Sequence, residues 1–185
     1  YVAPVREMKF LLHEVHGFAP HYATLSARVT PCDAETLDAV VDASAALCEE
    51  VLAPLRAPAD AEGCARVDAH TVTTPSGYKD AYLQYVDAGW QGLSFPVEFG
   101  GQGLPPSLAL VQADMAATAN FTWLMFPGLS KGAINTILMH GDRALQAAWL
   151  PRLVSGEWTG TMCLTEPQCG SDLGQVSARA TPRGD

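Results

Sequence analysis

The sequence predicts a mainly α-helical fold, followed at its C-terminal end by the first strands of a truncated β-domain. Apolar residues recur at helical spacing in successive stretches up to about residue 155. After Gly156 the pattern changes, because residues 158–164 mix β-branched, aromatic and other apolar side chains, as strands do. Residues 175–180 repeat this strand-like character. A hydrophobic content of 48% over 185 residues is enough for one domain with its own core, or for one domain and part of another.

The first predicted helix occupies residues 5–15 and ends near Gly17. Its apolar residues lie three or four positions apart: Val5, Met8, Leu11, Leu12 and Val15. A linker that contains Pro20 is expected to follow. The next helix should begin at Thr30, whose hydroxyl would cap it, with Pro31 in the first turn and Asp33 as an early carboxylate.

One apolar face continues from this start over about five helical turns and predicts a long core helix. Residues 56–75 are polar and are expected to form a loop with a short hairpin around residues 67–72. A helix over residues 76–88 should follow. The residues on the long apolar face are Leu37, Val40, Val41, Ser44, Cys48, Val51, Leu52 and Leu55.

Residues 89–106 are rich in glycine and proline and predict a loop. Gly100, Gly101 and Gly103 within it indicate turns, since a phosphate cradle would need a Walker lysine or the strand, loop and helix of a dinucleotide site.

Three helices are predicted in the next part of the chain. The first two are apolar and occupy residues 106–118 and 121–140, and the second is expected to break near Pro127. Asp142 should cap the third helix, which Pro151 would distort.

The charge balance argues against two kinds of partner. The chain has 11 basic and 20 acidic residues, which give a formal net charge of −9. This charge disfavours binding to nucleic acid or to an anionic membrane surface. No stretch approaches the roughly 20 apolar residues that span a bilayer, and no charged and then apolar leader is present. The sequence therefore predicts a cytoplasmic protein with no membrane span.

The cysteines and histidines indicate neither a disulfide framework nor a metal site. The five cysteines are odd in number and scattered, without a Cys-x-x-Cys pair. His13 and His16 lie three apart on the first helix, but no third ligand follows at helical spacing. Residues 168–171 share part of a papain-type nucleophile motif around Cys169. Because the second cysteine and the aromatic residue of that motif are missing, a catalytic Cys169 is the weaker interpretation.

The most informative segment runs over residues 162–172, where the first strand-like stretch ends in a polar turn. Pro167 fixes its backbone, and Gly170 allows a ligand to approach the main chain closely. Thr165 and Ser171 add two hydroxyls to the free backbone N–H groups, and Asp172 is expected to cap the next turn. Such donors suit an anion or the polar edge of a ring.

This segment carries a resemblance to a known family. Leu-Thr-Glu-Pro-x-x-Gly-Ser-Asp at positions 164–172 resembles the flavin-binding signature of the acyl-CoA dehydrogenases, although Cys169 stands where that family usually has alanine. Residues 90–93, 96–103, 132–133 and 150–158 agree with the family in order and spacing. The opening residues 1–10 are similar to the N-terminal extension of a larger subgroup that includes methylthiopropanoyl-CoA dehydrogenases.

The resemblance implies a fold, a cofactor and a set of binding residues. It divides the chain into an extension and linker (1–32), a helical N-terminal domain (33–156) and the start of a β-domain (157–185). FAD would bind between these domains and a C-terminal helical domain outside this chain. The residues implied to bind FAD are Met162, Cys163, Leu164, Thr165, Gly170 and Ser171. Ser171 would contact a phosphate oxygen of FAD or the nearby acyl-CoA substrate.

The resemblance also implies α,β-dehydrogenation of an acyl-CoA thioester, with hydride transfer to flavin N5. The family's catalytic base is a glutamate of the C-terminal domain, and Glu157, Glu166 and Asp172 do not match it. No catalytic residue is therefore expected in this chain, which should be inactive alone, and Glu166 is expected to serve the geometry of the loop. Further implied partners are an electron-transfer flavoprotein and, for the full-length protein, other copies in a homo-oligomer.

Two questions stay open from the sequence. The opening extension favours 3-methylthiopropanoyl-CoA as substrate, but medium or long straight-chain acyl groups are equally admissible. The same fold could also serve as a non-catalytic helical binding or oligomerisation module, or as another kind of flavoenzyme, because fold does not fix function.

Overall fold

The computed structural model describes residues 1–25 and 29–184 and confirms the mainly helical fold. Residues 26–28, which fall in the predicted linker, and Asp185 lie outside the described part. None of the helices in that part is long and apolar enough to cross a membrane. The α-helices are α1 (Val5–Phe10), α2 (Phe18–Thr24), α3 (Ala34–Ala46), α4 (Ala53–Glu62), α5 (Tyr78–Asp87), α6 (Pro106–His140) and α7 (Arg143–Val154).

The N-terminal region is more helical than the sequence predicts. Helix α1 continues into a wide π-helical turn, Leu11–Val15, and the two together cover the first predicted helix. Gly17 ends this helix with a φ of 57°. Helix α2 then occupies part of the predicted linker, so the prediction of a linker is wrong there. Pro20 is tolerated because it lies in the first turn, where backbone N–H groups lack intrahelical partners in any case.

Helix α3 is capped by Asp33 and not by Thr30. The Asp33 carboxylate accepts the Thr36 N–H at 2.8 Å, which satisfies one of the free donors of the first turn. The Thr30 hydroxyl instead donates to the Gln102 carbonyl at 2.6 Å, and the Thr30 N–H donates to the Gly103 carbonyl at 2.7 Å. The predicted cap is wrong because these contacts with the glycine-rich loop occupy Thr30.

The predicted core face of α3 is confirmed, and the helix runs further than expected. Buried positions on this face are Leu37, Val41, Ser44, Cys48 and Leu52. A second π-helical turn, Leu47–Leu52, connects α3 to α4, which ends only at Glu62. The predicted loop therefore starts later, since four alanines between positions 53 and 61 favour helix despite Pro58.

The short hairpin predicted around residues 67–72 is present. Strands β1 (Ala65–Arg66) and β2 (Val72–Thr73) pair antiparallel, with Ala65 opposite Thr73. The Asp68 carboxylate closes the turn by accepting the N–H groups of His70 and Thr71 at 2.7 and 2.8 Å.

Helix α6 contains the break that separates the two predicted apolar helices. Asn120 is non-helical, with φ −157° and ψ 84°, whereas Pro127 lies inside the helix, so the break predicted near Pro127 is wrong. The buried Asn120 side chain accepts hydrogen bonds from the Trp123 N–H at 3.1 Å and the Tyr78 hydroxyl at 3.2 Å. Its amide donates to the Leu52 carbonyl at 3.1 Å. Asn120 thus ties α6 to α5 and to the end of the π-helical turn before α4.

The predicted cap of the last helix is confirmed, because the Asp142 carboxylate accepts the Leu145 N–H at 2.8 Å. Helix α7 then continues through Pro151 to Val154. Two apolar clusters hold the fold together. The larger joins the N-terminal helices to the first half of α6, and the smaller consists of Phe95, Phe99, Ile134, Leu150, Leu153 and Val154.

Residues 158–164 and 175–180 are not paired into strands. The first stretch is irregular, and the second follows a short 3₁₀ turn, Leu173–Gln175. A strand requires a hydrogen-bonded neighbour, and neither stretch has one within residues 1–25 and 29–184. The strands predicted from their composition are therefore not formed in this structure.

Candidate functional site

We define residues 162–172 as the candidate loop. Trp158, which precedes this loop in the chain, is held in place by contacts with α7. The Trp158 N–H donates to the Arg152 carbonyl at 2.9 Å, and the Arg152 guanidinium lies over the Trp158 ring, 4.7 Å from its centroid. Trp149 meets the same ring edge-on, with 5.3 Å between the centroids. Because Trp149 and Arg152 belong to α7, the helical bundle fixes where the segment that carries the loop begins.

Gly160 brings this segment into direct contact with α6. Its N–H donates to the hydroxyl of Ser130 at 3.0 Å, and Ser130 is fully buried. A Cβ at position 160 would lie 2.6 Å from the Cβ of Ala133, a distance that side chains do not adopt. Only glycine therefore allows the segment to come this close to the helix without a shift of the backbone.

A groove of about 440 Å³ lies between α6 and the start of the loop. It borders on Thr161 and on the predicted site residue Met162, whose side chain is exposed. The α6 residues that line it are mostly small or apolar: Gly128, Leu129, Gly132, Ala133, Thr136 and Ile137. Such a groove can receive a flat or apolar group beside the loop.

The centre of the loop is a tight turn closed by two backbone hydrogen bonds. The Glu166 N–H donates to the Cys169 carbonyl at 2.9 Å, and the Cys169 N–H donates to the Glu166 carbonyl at 3.0 Å. Cys169 is 6% exposed and is a free thiol. Burial behind the turn speaks against its use as a nucleophile, which needs access to a substrate.

The Glu166 carboxylate holds the chain that follows the loop. One oxygen, Oε2, accepts the Ser177 N–H at 3.0 Å and the Ser177 hydroxyl at 2.8 Å, while Oε1 accepts the Ala178 N–H at 2.9 Å. Gln168 also donates to this carboxylate through its Nε2. These bonds, led by the Ser177 and Ala178 N–H groups, lower the pKa of Glu166 to about 2. The Glu166 carboxylate is thus hydrogen-bonded to residues that follow the loop, and its role in the geometry of the loop stays a prediction.

Asp172 ends the loop with a cap, as predicted. Its carboxylate accepts the Gly174 N–H at 3.2 Å and the Gln175 side-chain amide at 2.7 Å. Both acidic residues of the loop are thus occupied with internal hydrogen bonds.

The residues predicted to bind a cofactor lie at the surface of the loop. Met162, Cys163, Leu164, Thr165, Gly170 and Ser171 are all exposed. A Cβ built on Gly170 would lie 3.7 Å from Cγ2 of Thr165, so the two ends of the turn are neighbours. Among the described residues, neither the Thr165 nor the Ser171 hydroxyl has a protein hydrogen-bond partner, and both can serve a ligand.

The two histidines considered as metal ligands have separate contacts. His13 Nε2 pairs with Asp38 Oδ1 at 2.8 Å, and the His16 ring lies 5.3 Å from that of Phe18. Lys9 lies 3.9 Å from the same Asp38 carboxylate and pairs with Asp42 at 2.8 Å, so these contacts attach the first helix to α3. The described residues contain no group of three His, Cys, Asp or Glu side chains that could hold a metal ion.

Sequence reasoning missed the partners that support the loop. Ser130 lies within an apolar helical stretch and gives no local signal of its role. Ser177 and Ala178 follow Glu166 by 11 and 12 residues, a separation that no helical or strand period connects.

Comparison with protein families identifies the class to which this architecture belongs. The family described as "Acyl-CoA dehydrogenase, N-terminal domain" matches residues 34–157. The chain therefore belongs to the acyl-CoA dehydrogenase family, as the motif at positions 164–172 predicts.

Individual relatives support the same family. The 3-methylmercaptopropionyl-CoA dehydrogenase of Ruegeria pomeroyi is 38% identical over all of this chain and 31% of its own length. A butyryl-CoA dehydrogenase of Syntrophomonas wolfei is 31% identical over 98% of this chain and 30% of its own length. The chain thus spans less than a third of the length of these relatives.

A solved structure shows a similar fold. A chain in the structure of the electron transferring flavoprotein of Acidaminococcus fermentans aligns with 75% of this chain and 34% of its own length. The TM-score is 0.61 at 21% identity. This similarity concerns the fold alone.

Proposed function

We propose that this chain forms the helical domain and the flavin loop of an FAD-dependent acyl-CoA dehydrogenase. The proposal is supported mainly by the hydrogen-bond donors that are exposed on the candidate loop. There the free hydroxyls of Thr165 and Ser171 flank a glycine, while the loop's own carboxylates are occupied internally. We assign the chain an extension (1–32), a helical domain (33–156) and the start of a β-domain (157–185).

The loop fits FAD in the chemistry of its donors. Thr165, through its N–H and hydroxyl, would bind the pyrimidine edge of the flavin, and Ser171 would bind a phosphate oxygen of FAD or of acyl-CoA. Gly170 has no side chain to obstruct that approach. Met162, Cys163 and Leu164 would contact the ring with exposed, mainly apolar side chains. The donors for an anionic ligand would be the free hydroxyls, because the carboxylates of Glu166 and Asp172 only accept hydrogen bonds.

When bound, FAD supplies the hydride acceptor for α,β-dehydrogenation of an acyl-CoA thioester. Thr165 would hold a donor at the ring edge where negative charge collects on reduction, and a fixed donor at developing charge lowers the barrier. The groove beside α6 places small and apolar residues next to Met162, where an acyl thioester would be shielded from water.

The carboxylate that removes the α-proton lies outside this chain in our proposal. Glu166 is unsuited to that role because its oxygens are hydrogen-bonded and its pKa is lowered to about 2. A general base works best when its pKa lies near the operating pH. We therefore expect the chain to be inactive by itself.

The names of two relatives support our proposal for the substrate. A 3-methylmercaptopropionyl-CoA dehydrogenase and a butyryl-CoA dehydrogenase both match nearly the whole chain, so we propose an acyl-CoA substrate with a short chain, 3-methylthiopropanoyl-CoA among them. We further propose that an electron-transfer flavoprotein receives the electrons, and that the full-length protein is a homo-oligomer in the cytoplasm.

A visible absorption spectrum of the full-length protein tests this function. We expect flavin bands in the purified protein, and we expect them to bleach when butyryl-CoA or 3-methylthiopropanoyl-CoA is added. The rate of bleaching with each thioester compares the two chain types directly. A protein that takes up no flavin even when FAD is supplied would contradict the proposal and favour a binding module on the same fold.

A further inference from the structure

Glu166 is the residue at which two parts of the loop region meet. Its backbone N–H and carbonyl form both hydrogen bonds that close the turn to Cys169. Its side chain reaches forward to Ser177 and Ala178, which follow the loop. One residue therefore shapes the turn that leads to Gly170 and also holds the next stretch of chain beside it.

We propose that Glu166 is a positioning residue that assembles the candidate loop with residues 175–178 before any cofactor is present. The consequence for FAD rests on the function proposed above. An FAD molecule would meet a loop that already has its binding conformation. Less conformational entropy of the loop would then be lost on binding. Thr165, next to Glu166 in the chain, would be held in place through it.

The hydrogen-bond pattern explains why a carboxylate is needed at this position. Its two oxygens accept from the neighbouring N–H groups of Ser177 and Ala178, and Oε2 also accepts the Ser177 hydroxyl. A glutamine has one acceptor oxygen, and its NH₂ group would face one of these donors. An ionised acceptor also makes stronger hydrogen bonds than a neutral one. We call these hydrogen bonds from Ser177 and Ala178 to the Glu166 carboxylate the clamp. Glu166→Gln therefore keeps the size of the side chain but loses the clamp.

Gln168 supports the same assembly from within the turn. Its Nε2 donates to the Ser177 hydroxyl oxygen at 3.0 Å as well as to Glu166. The chain beyond the loop is therefore held by two side chains of the turn, and Glu166 accepts the bonds from the backbone.

Amide hydrogen exchange in the flavin-free protein tests the clamp directly. We expect slow exchange at the amides of Ser177 and Ala178, and exchange faster by roughly three- to tenfold in Glu166→Gln and Glu166→Ala. Glu157→Gln is the matched control, because it removes an equal charge whose one ionic contact among the described residues is Arg152 at 3.9 Å. Unprotected amides in the wild type, or equal exchange in all variants, would overturn the proposal.

The titration of the Glu166 carboxyl group gives a second test, because a glutamate without these hydrogen bonds would titrate at its ordinary pKa. A folded pKa of about 2, below the ordinary value, means that the clamp is complete above the unfolded pKa and is lost as the pH falls towards 2. Carboxyl ¹³C NMR should therefore find Glu166 ionised at pH 3.5, where an ordinary glutamate with a pKa of about 4.3 is mostly protonated. An ordinary titration midpoint for Glu166 would overturn the clamp.

Titration of the protein with FAD separates this inference from the proposed function. We expect the dissociation constant to rise by roughly three- to tenfold in Glu166→Gln and to stay unchanged in Glu157→Gln. An unchanged constant in Glu166→Gln would overturn the positioning role. Failure of the wild type to bind FAD would count against the proposed function alone, and the exchange and NMR results would still decide the clamp.

Discussion

The helical bundle and the candidate loop keep their shapes by different interactions. In the bundle, large apolar side chains such as Leu108 and Trp123 are almost completely buried against other helices. From residue 161 to residue 184, Cys169 is the one buried residue, and hydrogen bonds to Glu166 and Asp172 hold the backbone. Burial of apolar area is thus the main support of the bundle, whereas a few charged acceptors support the loop.

This contrast separates the expected effects of substitutions. A substitution in the bundle should lower the free energy of unfolding because it removes buried contacts. A substitution of an exposed loop residue should leave that free energy nearly unchanged and, if the proposed function holds, should alter the binding or the reduction of the flavin. The predictions that follow test this separation in both directions.

The largest expected effect belongs to Trp123 in the bundle. Trp123→Ala removes a ring that packs edge-on against Tyr85 at 5.3 Å, and it removes the indole N–H that donates to the Tyr78 carbonyl at 3.2 Å. We expect a loss of about 3–5 kcal/mol in the free energy of unfolding, measured by denaturant titration. Phe121→Ala is the control, because Phe121 is 63% exposed and should cost far less. Equal losses in the two variants would contradict the assignment of the core.

An intermediate effect is expected in the loop and on a different property. Thr165→Val in the full-length protein removes the hydroxyl that we propose as a donor to the reduced flavin, and this should slow flavin reduction by about ten- to a hundredfold, or roughly 1.5–3 kcal/mol. Rapid-mixing absorbance after addition of acyl-CoA measures this rate. Thr73→Val, on the exposed hairpin, should change neither the rate nor the stability. Unchanged flavin reduction in Thr165→Val would eliminate the proposed role of Thr165.

The smallest expected effect lies at the end of the bundle, at the cap of α7. Asp142→Ala frees the Leu145 N–H and should cost about 1 kcal/mol in the free energy of unfolding. Asp114→Ala, at an exposed position in the first half of α6, serves as the comparison and should change stability little. A cost at Asp142 no larger than that at Asp114 would show that the cap is not used in solution.

The sequence predicts the bundle well because helical periodicity is a local property. The face from Leu37 to Leu52 and the separation of two helices near Asn120 could both be recognised from residue spacing. The choice between Thr30 and Asp33 as the cap of α3 could not, since both residue types cap helices. The deciding contact, the Gln102 carbonyl, lies 72 residues from Thr30.

For the loop, the sequence predicts which residues belong to the candidate site but not how they are arranged. Its motif points to the residues of the candidate site, because few other segments combine proline, glycine and two hydroxyls in this order. The arrangement of those residues depends on Ser130 of α6 and on Ser177, which lie far from them in the chain. Residues 158–164 have the composition of a strand, but composition alone does not provide the neighbour that a strand must pair with.

The contact between Gly160 and α6 has a consequence for sequence variation. The space for a side chain at position 160 is already filled by the methyl group of Ala133, since the two Cβ atoms would be 2.6 Å apart. Substitutions at these two positions should therefore be correlated among homologues, with a larger residue at 160 accepted only where position 133 becomes glycine. A library that randomises both positions together should recover functional pairs that are absent when either is varied alone.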